Sequence, residues 1–117
     1  MKREKPRDLA LKTIKRLTGE PRPGGGYLDD LFESRPYLDQ RDRAFISQLV
    51  QGVVRWRLRL DWIIGRFADL PLSKMDPLVL NILRLALFQI VFLDRVPESA
   101  AVNEAVNVAA LKKIQLP

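Results

Sequence analysis

The sequence predicts an all-α fold of five or six helices packed around one central apolar helix, and three observations carry that expectation. Apolar residues recur at steps of three and four through most of the chain, and no stretch alternates with period two. Between residues 78 and 93 only Asn81, Arg84 and Gln89 are polar. A helix apolar nearly all round must be enclosed by other helices or by lipid. Its polar residues interrupt the run before it reaches the roughly 20 apolar residues a bilayer needs, so a membrane partner is not expected. The chain also has 117 residues, 47% of them hydrophobic, which suits one domain with a real core.

Each element follows in order. Residues 7–17 form an amphipathic helix, with Ala10, Ile14 and Leu17 inward, Leu11 behind Ile14, and Lys12, Lys15 and Arg16 towards solvent. Gly19 stops it. Two prolines and three glycines exclude regular structure from 20 to 26. A short helix at 28–33 turns Leu28, Leu31 and Phe32 inward. From 39 to 67 the residues Phe45, Leu49, Val53, Trp56, Leu60, Ile63 and Phe67 make one apolar stripe. Such a helix would be roughly 40 Å long, too long for this chain, so a break is expected near Arg57. Asp76 is suited to cap the central helix and Pro77 to occupy its first position. The last helix begins between Pro97 and Ser99 and runs to about Lys113, packing along Val102, Ala105, Val106 and Ala109.

The charge balance names a class of partner. Twenty Lys and Arg against fourteen Asp and Glu give +6 and an isoelectric point near 10.1. Such a field favours polyanions, although a basic surface also serves plain solubility. Basic residues crowd the stretch from Lys2 to Arg22, where Lys2, Arg3, Lys5, Arg7, Lys12, Lys15, Arg16 and Arg22 stand against only Glu4, Asp8 and Glu20. The candidate nucleic-acid-binding residues are therefore Arg3, Lys5, Arg7, Lys12, Lys15 and Arg16. Arg84, inside the apolar helix, either pairs with a carboxylate such as Glu104 or emerges beside the first helix to join them. Arg55, Arg57 and Arg59 alternate with Trp56, Leu58 and Leu60, so they do not form one flat basic face. Trp56 and Trp62 could stack on bases, but both fit the apolar stripe or its flank and are read as core. The carboxylates Asp29, Asp30, Asp39 and Asp42 read as helix-start residues placed against the helix dipole.

Catalysis fails on inventory. The chain has no cysteine and no histidine, so it lacks thiolate ligands and the usual neutral-pH base. Gly24-Gly25-Gly26 follows no strand, so it is a connector rather than a cofactor loop. Neither a catalytic residue, a metal site nor a cofactor is expected. The amino terminus leads into an amphipathic segment rather than an apolar run, so the expected location is cytoplasmic.

Several landmarks together resemble the NusB-like domain. They are Asp42-Arg43-Ala44-Phe45, Gly52-Val53-Val54-Arg55-Trp56, Leu60-Asp61-Trp62, Leu83-Arg84 through Gln89, Arg95-Val96-Pro97, and Ala100-Ala101-Val102-Asn103-Glu104-Ala105-Val106. The Gly-Val-Val-Arg-Trp and Leu-Asp-Trp runs point to the version at the amino terminus of Sun/Fmu-type small-subunit ribosomal RNA cytosine-5 methyltransferases. The resemblance implies two small helical bundles set across each other, residues 1–117 being one RNA-binding domain. It implies a non-catalytic accessory role on 16S ribosomal RNA, with the S-adenosylmethionine-dependent catalytic domain beyond Pro117. In that family another helix normally follows the last one here. The comparable arginine in NusB lies near the RNA-binding side, but a carboxylate often found a few residues earlier is Val79 here. Asn103 and Glu104 match the family's Asn-Glu pair and read as helix-start hydrogen bonding first, interface second. Two alternatives stay open: a protein-interaction module that docks another protein or the catalytic domain, and a transcription antitermination factor.

Overall fold

The computed structural model describes residues 3–19 and 26–115, with side chains as far as residue 110. Among the described residues there are six α-helices and no strand, as the periodicity predicts. The chain divides into two compact units, Met1–Val54 and Arg55–Pro117.

The first unit opens with α1, Pro6–Thr18. Pro6 occupies the first turn, where a missing N–H leaves nothing unsatisfied. Leu9, Ala10 and Ile14 are fully buried, and Thr13 is buried because its hydroxyl donates to the Leu9 carbonyl at 3.0 Å. Leu17, expected inward, is half-buried. Gly19 ends the helix, its N–H donating to the Lys15 carbonyl at 3.1 Å. The expected connector from 20 to 25 lies outside the described residues, as do Lys2 and Arg22. Gly26 enters α2 (Tyr27–Glu33) with φ of 85°, a conformation glycine adopts without side-chain strain. Tyr27 and Leu31 form the buried side of α2, whereas Leu28 and Phe32 are only half-buried. Helix α3, Gln40–Arg55, is capped by Asp39, whose carboxylate accepts from the Asp42 N–H at 2.8 Å. Its inward face is Ile46, Leu49, Val50 and Val53.

Trp56 departs from helical geometry (φ −102°, ψ 16°), so the expected break falls one residue before Arg57. The second unit continues as α4, Arg57–Phe67, which buries Leu60, Ile63 and Ile64. A Cβ on Gly65 would lie 3.3 Å from Leu72 Cδ1, so the 3-10 turn Leu72–Lys74 approaches α4 closely there. Helix α5, Pro77–Leu87, starts as expected: the Asp76 carboxylate accepts from the Leu78 N–H at 2.8 Å. Residues 80–88 are all buried, and α5 packs on α4 and on α6. The expected single helix at 78–93 changes geometry after Leu87 and continues as a π-helical turn, Phe88–Leu93. That turn closes at Arg95, a non-glycine residue with φ of 58°, beyond which the Val96 N–H donates to the Ile90 carbonyl at 3.0 Å.

Helix α6, Glu98–Gln115, corrects the expected packing edge. Ala101, Ala105 and Ala109 face inward at strict four-residue spacing, while Val106 is half exposed and Val102 half-buried. Small side chains let two helix backbones come together, and the valines fall off that line. Asn103 and Glu104 are exposed beyond the first turn, so helix-start bonding is not their role. Among the described residues no helix is long and apolar enough to cross a membrane.

Candidate nucleic-acid interface

Amphipathic periodicity alone places the basic side chains of α1 outside. Arg3, Lys5, Arg7, Lys12, Lys15 and Arg16 are all exposed, and all belong to the first unit. Arg3 and Arg7 lie against aromatic rings, with guanidinium carbons 5.3 Å from the Tyr37 centroid and 5.4 Å from that of Phe45. Lys12, Lys15 and Arg16 line one side of an open groove between α1 and α2, with a volume of about 670 Å³. Tyr27, Asp30, Leu31, Ser34 and Arg35 line it from the α2 side, so one acid stands among its cations. Arg16 sits over the Tyr27 ring at 4.9 Å, a cation–π contact that fixes the guanidinium at the groove wall.

Glu4 organises the other cations. Lys12 donates to one of its carboxylate oxygens, and Arg35 Nε and Nη2 donate to the other at 3.1 and 2.8 Å. Tyr37 Oη accepts from the Glu4 backbone N–H at 3.2 Å. The Lys12 hydrogen bond, then that of Arg35, holds the Glu4 carboxyl below its ordinary value of 4.5, against a smaller opposing effect of burial. Two cations are thereby held at the groove by one carboxylate. A phosphate entering the groove presents the same kind of oxygen acceptors to both. Arg35 and Tyr27 join the basic residues that the sequence singles out. Nothing in the α1 pattern reports which side chains a following short helix brings against it.

Arg84 is placed elsewhere. It is 5% exposed and lies in the second unit, on α5. Its Nε and Nη2 donate to the two carboxylate oxygens of Asp61 on α4 at 2.7 and 3.0 Å, and Nη1 donates to Asn81 Oδ1 at 2.9 Å. The expected partner Glu104 is exposed instead. The fork of the guanidinium matches a carboxylate edge to edge, so burial here leaves no donor group stranded. Arg84 is thus a structural tie between α4 and α5, and its burial takes it out of the basic groove.

The tryptophans also depart from expectation. Trp56 and Trp62 are 40% and 50% exposed rather than core. The Trp56 ring rests on Phe92 at 5.0 Å, and Phe92 on Phe88 at 5.5 Å, so one side of Trp56 is packed. Arg55 lies over Trp56 at 5.6 Å, and Arg59 over Trp62 at 4.6 Å. Arg55, Arg57 and Arg59 are all exposed, and so are Trp56 and Leu58 between them.

Comparison with known proteins agrees with this architecture. The model of the NusB family matches residues 4–114. A protein of Bacillus subtilis described as a probable ribosomal RNA small subunit methyltransferase B is 31% identical over 112 residues, covering 96% of this chain and 25% of that protein. Its counterpart from Synechocystis is 42% identical over 82 residues, covering 70% of this chain and 18% of that protein. The chain therefore spans a quarter or less of these methyltransferases. The transcription antitermination protein NusB of Desulforudis audaxviator is 36% identical over 115 residues, covering 93% of this chain and 79% of that protein. No solved structure matches the chain. On the extent of the family match and of the NusB alignment, the chain belongs to the NusB family.

Proposed function

We propose that this chain is an RNA-binding module that helps a cytoplasmic ribosomal RNA small-subunit methyltransferase engage its substrate. The observation that carries the reading is the α1–α2 groove, where Lys12, Lys15, Arg16 and Arg35 converge around a space open to solvent. Methylation at cytosine C5 requires a thiolate that adds to the ring and makes C5 nucleophilic, and the chain has no cysteine. Methyl transfer and S-adenosylmethionine binding are accordingly assigned to the remainder of such an enzyme, and this module takes no cofactor. Its partners are structured ribosomal RNA and the catalytic portion.

A second reading, an antitermination factor, draws on one observation: the chain spans 79% of a NusB protein against 25% of a methyltransferase. The reading frame past Pro117 separates the two. Continuation into a cofactor-binding domain with a Pro-Cys motif supports the methyltransferase, and a stop codon after one more helix supports the antitermination factor.

The RNA reading itself is tested with Lys12, Lys15 and Arg16 replaced by Gln. Binding of structured ribosomal RNA should weaken, with helical circular dichroism unchanged. The slope of log affinity against log salt should fall by about 0.7–0.9 for each phosphate that the variant no longer neutralises. Equal binding by variant and parent at about 0.1 M salt would make the groove an ordinary solvated surface.

A further inference from the structure

Helix α4 carries an exposed face that the groove reading leaves unexplained. Trp62 is 50% and Leu58 85% exposed, on the side of the helix away from the buried Leu60, Ile63 and Ile64. Two guanidiniums lie over the Trp62 ring, Arg59 at 4.6 Å and Arg66 at 5.3 Å. They come from three residues before and four residues after it, the spacing that puts side chains on one helical face. Arg59 is also ion-paired to Glu98 on α6, which fixes its head above the indole. Arg66 reaches the Phe67 ring as well, at 5.5 Å, and forms no ion pair with a carboxylate among the described residues.

The charge of this segment points to the occupant. From Arg55 to Phe67 there are four arginines and one acid, Asp61, besides Arg66's immediate neighbours on the same helix, which carry no charge. The Asp61 carboxylate is already taken by Arg84. Glu98 pairs with Arg59 alone, and Arg66 forms no ion pair among the described residues, so positive charge is in excess on a surface that combines open aromatic rings with planar cations. An apolar protein partner would have to desolvate these arginines without acids to receive them. Single-stranded nucleic acid offers the complement, with phosphates for the arginines and base faces for the indole.

We propose that this α4 face is a second RNA contact, where an unpaired nucleotide stacks on Trp62 while Arg66 meets a flanking phosphate. Arg59, tied to Glu98, holds the indole in place. Arg66 turns from ring to phosphate as the base takes its position. This rests on the reading of the chain as an RNA-binding module and adds a preference for unpaired segments. Trp56 and Trp62 are the only tryptophans, so the chain's own fluorescence reports the contact.

The test titrates the full chain with a short oligouridylate and follows tryptophan emission. The parent should be quenched on saturation. Trp62→Leu should lower oligouridylate affinity about tenfold, measured by anisotropy of a labelled strand, since one stacked base is worth roughly that much. Arg66→Gln, at an exposed position, should weaken it less and reduce the salt slope. The Lys12, Lys15 and Arg16 variant should keep full quenching at saturation. If structured RNA still binds while both α4 variants take up oligouridylate like the parent, the α4 contact is overturned and the face belongs to a protein partner. If the parent binds no RNA of either kind, the module reading falls with it.

Discussion

Arg84 and Glu4 each illustrate how a single charged residue acquires its role from what packs against it. An arginine inside an apolar run announces that a carboxylate must be near, and helix phase alone offers Glu104 on the next element. The partner is Asp61, because α4 packs on α5 and turns that carboxylate toward the guanidinium fork. Asp61→Ala should cost on the order of 3 kcal/mol in chemical denaturation, since it leaves a buried cation without its anion. Glu104→Ala, at an exposed position, should stay within about 0.5 kcal/mol. A reversed order would put the pairing back on α6. Glu4 gives a prediction in pH. Its carboxyl is depressed below 4.5 by Lys12 and Arg35, so it contributes stability above that pH and loses it as pH falls through the lower folded value. The melting-temperature advantage of the parent over Glu4→Gln should thus be full near neutrality and shrink only below about pH 4.5. A constant difference down to lower pH would mean that the carboxylate is not stabilised by its two cations.

At the scale of elements, helix starts are readable from sequence and helix interiors less so. Asp76-Pro77 and Asp39 announce their caps through chemistry that is local in sequence, and both are formed. The stripe from Phe45 to Phe67 keeps one phase on paper, but Trp56 leaves helical geometry within it. Within α4, Trp62 lies on the side opposite Leu60 and Ile63 and is half exposed, while Phe67 shares their phase but is the last residue of the helix and is exposed there. The π turn at Phe88–Leu93 is hidden for a similar reason: its residue composition is that of any apolar helix, and its extra residue per turn is a tertiary adjustment. Arg95 shows where that turn ends, holding a left-handed conformation usually given to glycine. Arg95→Gly should therefore raise stability by about 1 kcal/mol, read in thermal melts. A loss of that size would mean that the arginine side chain anchors the turn.

For the whole molecule, the all-α class and the family are legible because apolar periodicity and the spaced landmarks need no knowledge of packing. The basic groove is half legible. Charge clustering locates the α1 side, whereas Tyr27, Arg35 and the organising role of Glu4 depend on how α2 and the segment after it return to α1. Trp62 lies opposite Leu60, Ile63 and Ile64 on α4, and its exposure is visible only once that buried line is known. Structured RNA in the α1–α2 groove is the central claim. Amide chemical-shift mapping of the labelled chain during titration with a ribosomal RNA hairpin tests it most directly. The largest perturbations should fall on Lys12, Lys15, Arg16, Ser34 and Arg35, while Ala101, Ala105 and Ala109 on the inward line of α6 stay unmoved. Perturbations centred on α6 with the groove silent would contradict it.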